Sequence, residues 1–425
     1  MNKFRFLTSL AAAFIAAACL SATPAAFIAR WEFSSGTRNS GTWVKDHSVL
    51  DKTGTGTLSF VGSAPKFGYN KSGSVTVSNV CEGDYFLLSA PVSRLPKGTD
   101  VDVAVMMGIS AEGGPEKWIC EYFDGKRWKN TGEDVSFTLK KYKSSNETSY
   151  MKTFTLKKAL RGPELKVRLR CLETGSNPSS SVYFMQIPRY GLYLAAWPEG
   201  SKGSKRVLML GNSFTFFGSS NLALLEIAHS QGHGIDAGIN VKGGQNFGQH
   251  MKLEKSLEAI AAGGYEAALL QNQSQGSSFY ASDPVKYSYI MDDAKAIAAE
   301  VRKYSPSCRL VLERTWSSPK EDWRGYGNAE AFDADLYKGS EQLAAAMGAD
   351  ISPIGDAFIV ARAAGLPLYW KDDFHQNHLG AYLKACVNYL VLFGEPFREG
   401  VSDYGLDPGH AARCREIAEE IVLKR

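Results

Sequence analysis

The feature that most constrains this chain is a change of pattern near residue 206. From Arg206 onward, short apolar runs alternate with longer stretches of helical period. Strands are predicted at "RVLML", "IDAGINV", "EAALLQ", "RLVLER" and "DISPI". Helices are predicted over about 219–231, 246–262, 283–304, 328–347, 355–364, 379–394 and 411–423. Alternation of this kind predicts an α/β fold, a parallel sheet covered by helices on both faces. In such sheets the functional site lies at the carboxyl ends of the strands. Residues 27–195 read differently, as short strands between turns: "GTLSFVG", "SGSVTVSN", "DYFLLSAPV", "DVDVAVMMGIS", "KWICEYFDGKRW", "VSFTL", "LKVRLRCLE" and "SVYFMQI". They are rich in Val, Tyr and Phe, bounded by Gly, Asn, Ser and Pro, and almost free of helical period, which predicts an all-β sandwich. Between the halves, "AAWPEGSKGSKR" has no apolar period and reads as a linker over 196–205, leaving 206–425 as the second domain.

The first 25 residues carry Lys3 and Arg5, an apolar run from Phe6 to Leu20, and then small residues. That layout predicts a signal peptide cut after Ala22 or Ala25, and so a secreted or periplasmic protein. Lipid attachment at Cys19 is the alternative, although the Leu expected three positions earlier is missing. No other stretch is long and apolar enough to span a membrane. A net charge of +4 with Lys and Arg scattered among acids gives no basic block, so nucleic acid is not an expected partner. Beyond the leader, Cys81, Cys120, Cys171, Cys308, Cys386 and Cys414 are sparse, fall three to each half, and form no CxxC. They read mostly as buried free thiols.

Two stretches carry chemistry. The first strand of the second half ends in "LMLGNSF", where Gly211 permits a tight turn and leaves Ser213 at the strand's carboxyl end. A serine there can turn its own backbone N–H toward a developing oxyanion, or be an ordinary turn residue. No Gly-Lys-Ser/Thr follows, so this is not a phosphate loop. Near the end of the chain, "KDDFHQNHLGAYL" places two acids and two histidines ahead of an apolar run. Serine needs a base to act as a nucleophile, and Asp372 with His375 supplies a base and an orienting acid from one short loop. The order Ser, Asp, His excludes the chymotrypsin and subtilisin arrangements, and the Gly-x-Ser-x-Gly of α/β-hydrolases is absent.

Ser213 in "GNS" after the first strand, together with "DDFH", resembles the SGNH (GDSL-type) hydrolase superfamily over residues 205 to about 395. The resemblance implies a flavodoxin-like three-layer domain with a five-stranded parallel sheet, and esterase or deacylase activity without a cofactor. It implies Ser213 as nucleophile, His375 as base and Asp372 as its partner. The backbone N–H groups of Ser213 and of Gly244 in "NVKGGQNFG" would form an oxyanion hole, with Gly243 as the alternative. The third family block, usually Gly-x-Asn-Asp, is replaced by "LLQNQSQG", which partly resembles the Gln-Gly-Glu-Ser of the sialate O-acetylesterase-like branch. The missing carboxamide would come from Gln271, ahead of Gln273 and Asn272.

Other candidates carry less. His375 and His378, three apart beside Asp372 and Asp373, could hold a metal, but the same spacing arises in any helical turn and no second ligand cluster is evident, so no metal is expected. His250 reads as structural ahead of substrate-facing, and Trp316 and Trp323 as site lining or core cover. The aromatic-rich first half, opening on "RWEF", resembles a jelly-roll carbohydrate-binding or galactose-binding-like module. Trp31, Trp43, Trp118 and Trp128 could stack on sugars or fill the core. The expected activity is removal of a small acyl group, foremost acetyl, from an acylated carbohydrate. The first half would bind or position substrate without entering the chemistry. A glycan-binding or adhesion protein with a degenerate hydrolase half, or a lipid or peptidoglycan acyl hydrolase, are the alternatives.

Overall fold

The computed structural model describes residues 26–32, 56–69, 75–92, 95, 97–105, 107–130, 136–138, 147–149, 152–184, 191–197, 204–320 and 328–424. The expected leader with Cys19, and Trp43 and Trp323, lie outside these residues.

The second half is built on five parallel strands: β1 (Ser204–Gly211), β2 (Gly234–Lys242), β3 (Ala267–Leu270), β4 (Arg309–Glu313) and β5 (Asp350–Ser352). Their order across the sheet is β2-β1-β3-β4-β5, the flavodoxin-like arrangement. Strand β1 shows why the sheet is covered twice. Val207 and Met209 point into one core, with Leu222, Phe358 and Leu383, while Leu208 and Leu210 point into the other, with Phe247, Ile297 and Leu343. Period-two side chains that are apolar on both faces leave neither face to water. Each large apolar side chain so buried stabilises the fold by about 2 kcal/mol.

The helices follow the expected spans with informative differences. In order they are α1 (Ser213–Phe216), α2 (Ser220–Ser230), α3 (Phe247–His250), α4 (Glu254–Ala261), α5 (Gly276–Ser282), α6 (Ser288–Tyr304), α7 (Ala329–Met347), α8 (Ile354–Ala363), α9 (His378–Phe393) and α10 (Pro408–Leu423). The single helix expected over 246–262 is two. Helix α3 opens on a reciprocal cap between Asn246 and Gln249, and the chain turns extended at Leu253 before α4 starts afresh.

The first half forms antiparallel sheets. One runs Ala26–Glu32, Gly191–Trp197, Asp100–Val105, Lys152–Leu156. A second runs Ser136–Thr138, Lys117–Phe123, Glu164–Cys171, Tyr85–Pro91, Thr57–Val61, and a third joins Lys66–Tyr69, Val75–Ser78, Val182–Phe184 and Met107–Ile109. Residues from all three, such as Val103, Leu169 and Ile109, share one core. Trp118 is fully buried there, its indole N–H donating to the Pro115 carbonyl (2.7 Å), so it is core and not a sugar platform. Trp128 is half-buried on the sheet surface, with the Arg168 guanidinium 4.3 Å from its ring. The strand Gly191–Trp197 runs into the segment expected to be linker, because Ala195, Ala196 and Trp197 pair with Asp102, Val101 and Asp100.

The two halves interlock. Glu147–Ser149 pairs antiparallel with β2 and becomes a sixth strand of the parallel sheet. Asp102 Oδ2 lies 3.0 Å from His229 Nε2 of α2 across the boundary. All six described cysteines are free, five of them buried. Burial raises the Cys171 and Cys308 thiols to about 11 and Cys414 to about 12, which makes them poor nucleophiles. Among the described residues no helix is long and apolar enough to cross a membrane.

Candidate active site

The site is assembled where β1, β2, β3 and the loop before α9 meet. At Gly211 a side chain would run into Thr215 Oγ1 and Gln271 Oε1, so only glycine lets the chain turn there. The next residue, Asn212, caps α1 by accepting the Phe214 N–H (3.1 Å). Its amide donates to the carbonyls of Gln245 (2.8 Å) and Asn272 (3.1 Å). One buried side chain thus ties the ends of three strands together. Ser213 follows as the first residue of α1, where a backbone N–H has no intrahelical acceptor.

The loop 371–377 is fastened at both ends. Asn377 caps α9, accepting from Leu379 N–H (2.8 Å) and Gly380 N–H (3.1 Å), and its amide donates to Pro367 (2.6 Å). Gln376 is buried, and its amide donates to the carbonyls of Phe214 and Phe217, both at 2.9 Å, which presses this loop against α1. The loop then presents Asp372 and His375 together: His375 Nδ1 lies 2.6 Å from Asp372 Oδ2, and His375 Nε2 lies 2.9 Å from Ser213 Oγ. With the carboxylate accepting from Nδ1–H, the Nε2 lone pair faces the serine hydroxyl. Burial works against the charged form of Asp372. The hydrogen bonds from the His375 ring and from the N–H groups of Phe374 and His375 outweigh it and hold the carboxyl below the usual carboxylate range.

Beneath the serine lies a buried aromatic stack. Phe214 stacks on Trp316 (4.1 Å, 4°), and Trp316 stacks on Phe358 (4.1 Å, 10°), so Trp316 is core. The Phe214 carbonyl also accepts from Lys384 Nζ (2.9 Å), a lysine in the apolar run of α9 that is paired with Glu313 at 2.5 Å. Both are about 2% exposed. Burial depresses the Lys384 ammonium against the pull of Glu313, and Asn388 donates to the other Glu313 oxygen (2.7 Å).

The expected oxyanion residues divide. Gly244 sits exposed in the turn after β2 with φ of 75°, which favours glycine. Gln271, expected to complete the hole, is buried at the end of β3. Its oxygen accepts from Asn212 N–H (3.0 Å) and Thr215 Oγ1 (3.1 Å), and its amide donates to the Asn272 carbonyl, so it braces the turn. Gln273 is half-buried, accepts from Gln275 N–H (2.8 Å) and donates to Ser274 Oγ (3.2 Å). The Asn272 side-chain oxygen accepts from Phe247 and Gln273 N–H at 3.2 and 2.8 Å.

The remaining histidines stand elsewhere. His250 is buried between Ser256 Oγ (2.7 Å) and the Gly211 carbonyl (3.1 Å), and burial drives it down to about 4. It is a neutral brace under the serine turn. His378 starts α9 and packs edge-on against Trp370 at 6.2 Å. Among the described residues no three His, Cys, Asp or Glu side chains are grouped to hold a metal. The residues that the sequence reading passed over are Asn212, Gln376 and Lys384. The lysine had a signal, since a lone charge inside an apolar helix run is buried only when paired.

No protein-family model matches this chain, and no curated protein does. Solved structures that match include SGNH hydrolases and carbohydrate esterases. A DUF4886 family protein from Bacteroides uniformis is 21% identical over 52% of this chain and 95% of its own, with a TM-score of 0.44. A protein from Slackia heliotrinireducens described as an SGNH hydrolase is 19% identical over 44% and 99%, with a TM-score of 0.37. A carbohydrate esterase family 2 enzyme with a carbohydrate-binding domain, from Corynascus thermopiles, is 12% identical over 80% and 100%, with a TM-score of 0.36.

Proposed function

We propose that the protein is an exported serine esterase that removes a small acyl group, foremost acetyl, from a carbohydrate. Ser213 is the nucleophile, His375 the base and Asp372 the acid that orients it. The observation that carries this reading is the pair of contacts at His375, 2.9 Å to Ser213 Oγ and 2.6 Å to Asp372 Oδ2. As Ser213 Oγ attacks the ester carbon, its proton passes to His375 Nε2 and the carbonyl oxygen takes the negative charge. The N–H groups of Ser213 and Gly244 receive that charge, with a carboxamide of the 271–273 stretch, Gln271 ahead of Gln273, beside them. Collapse expels the sugar alkoxide, which takes the proton from His375. Water, deprotonated by the same imidazole, then releases the acid from the acyl-serine.

The carbohydrate part rests on different support. The first half, residues 27–195, acts in this reading as a jelly-roll-like sandwich that positions glycan, with Trp128 at its surface. Among its described residues there is no histidine to serve as a base, so this reading assigns the chemistry to residues 206–425. Purified protein should release acetate from an aryl acetate and from acetylated glycans, and Ser213→Ala should release neither. A Ser213→Ala protein with near-native turnover would sink the proposal.

A further inference from the structure

Three phenylalanines surround the ring of His375. Phe217 stacks on it face to face, with centroids 4.1 Å apart and planes 20° apart. Phe374 (5.2 Å, 72°) and Phe214 (5.8 Å, 78°) meet it edge-on. The placement of Phe217 is built into the chain. Gly218 and Ser219 after it are both left-handed, at φ 64° and 62°. At Gly218 a side chain would strike the Asn377 carbonyl and Ala381. A left-handed non-glycine residue is uncommon, and such residues concentrate at functional sites. Gln376 further holds the Phe217 carbonyl at 2.9 Å.

We infer that Phe217 is a positioning residue for the proposed base: its ring fixes the imidazole plane and favours the imidazolium formed when Ser213 gives up its proton. This rests on the reading of His375 given above. The need for such help follows from exposure. The Asp372 side chain is 45% exposed and that of His375 21%, so water screens the carboxylate's pull on the imidazolium. An aromatic face attracts a cation without being screened in the same way, because its π surface lies in direct contact. Among the described residues the charged groups around the ring are few. Its own loop brings Asp372, Asp373 and exposed Lys371, and the loop after β4 brings Lys320, 3.5 Å from Asp373 Oδ2. Helix α1 brings only the Ser213 hydroxyl, and the turn 217–219 has no ionisable side chain. The paired Lys384 and Glu313 of α9 and β4 lie behind Phe214.

The test is Phe217→Leu in the full chain, which keeps an apolar side chain and removes the π face. The imidazolium-to-imidazole transition of His375, followed by NMR of the ring protons, should move to lower pH by about 0.5 unit. The acid limb of kcat/KM on an aryl acetate should move the same way, with kcat lower by about threefold and KM unchanged. Phe217→Tyr and Phe217→Trp should restore both. The inference is overturned if Phe217→Leu leaves the NMR transition in place, or if the aromatic replacements fall as far as leucine. The NMR arm reads the ring directly, so it decides the point even if no ester is hydrolysed, an outcome that would instead remove the proposed function.

Discussion

Two histidine–aspartate pairs in this molecule have similar lengths and opposite surroundings. His229 and Asp102 stand 3.0 Å apart with side chains about 1% and 2% exposed, and come from opposite halves of the chain. His375 and Asp372 stand 2.6 Å apart in one loop, about 21% and 45% exposed. The buried pair is sealed between a β-strand and α2, so it joins the halves and no substrate can reach it. Removing one partner there leaves the other desolvated and unmatched, which is costly. The open pair adds little to stability, as exposed pairs do, but its Nε2 is free to meet a serine. In the proposed reading the same two residue types serve as a clamp or a base according to burial and to what the second ring nitrogen faces.

That contrast can be broken experimentally. The largest effect belongs to His375→Ala, which should lower ester turnover by at least about a thousandfold while leaving thermal unfolding unchanged. His229→Ala should do the reverse. If His378→Ala proved as damaging to turnover as His375→Ala, the assignment of the base would be wrong.

Next comes Asp372→Asn, expected to cost about a hundredfold to a thousandfold in kcat/KM through loss of imidazole orientation, with melting temperature unchanged. The exposed position of Asp372 sets this below the loss seen when a fully buried triad acid is removed. Its folded-state value is depressed, so the stability it contributes is present above its unfolded value, near 3.9, and is lost only as pH falls through the lower folded one. Between about pH 5 and 8 it stays ionised, so it contributes no acid limb of activity in that window. A profile of Asp372→Asn whose acid limb vanished, with full activity below it, would contradict this.

Asp102→Ala should lower unfolding free energy by about 3 kcal/mol, measured by denaturant titration, with kcat per folded molecule retained. A variant of native stability would show that the clamp holds nothing. The smallest expected effect is that of a chelator: EDTA should leave turnover as it was, and strong inhibition would revive the reading of His375 and His378 as metal ligands.

The same pairs explain what could be read from the sequence. Asp372 and His375 are three residues apart, so local spacing exposes them. Asp102 and His229 are separated by 127 positions, and only the packed fold brings them together. The parallel strands were legible because they are continuous apolar runs, and α7, expected at 328–347 and found at Ala329–Met347, because its period is regular. The break between α3 and α4 was not, since it lies at the extended backbone of Leu253, which the periodic pattern runs through. Nor was the pairing of Glu147–Ser149 with β2, which is a choice of sheet edge made by backbone hydrogen bonds. The role of Gln271 is not legible in the sequence for a related reason. A carboxamide at a strand end can face a cleft or its own turn, and only the neighbouring Asn212 N–H and Thr215 hydroxyl decide which.

The most direct test of the central claim is to trap the acyl-enzyme. Protein mixed with an activated aryl acetate, quenched in acid within the first turnovers and digested, should carry one acetyl group on the peptide containing Ser213. It should be absent in Ser213→Ala and should accumulate in a variant slowed in deacylation. Acetyl found on another residue, or steady hydrolysis with no acetyl on Ser213 at any time, would contradict the account.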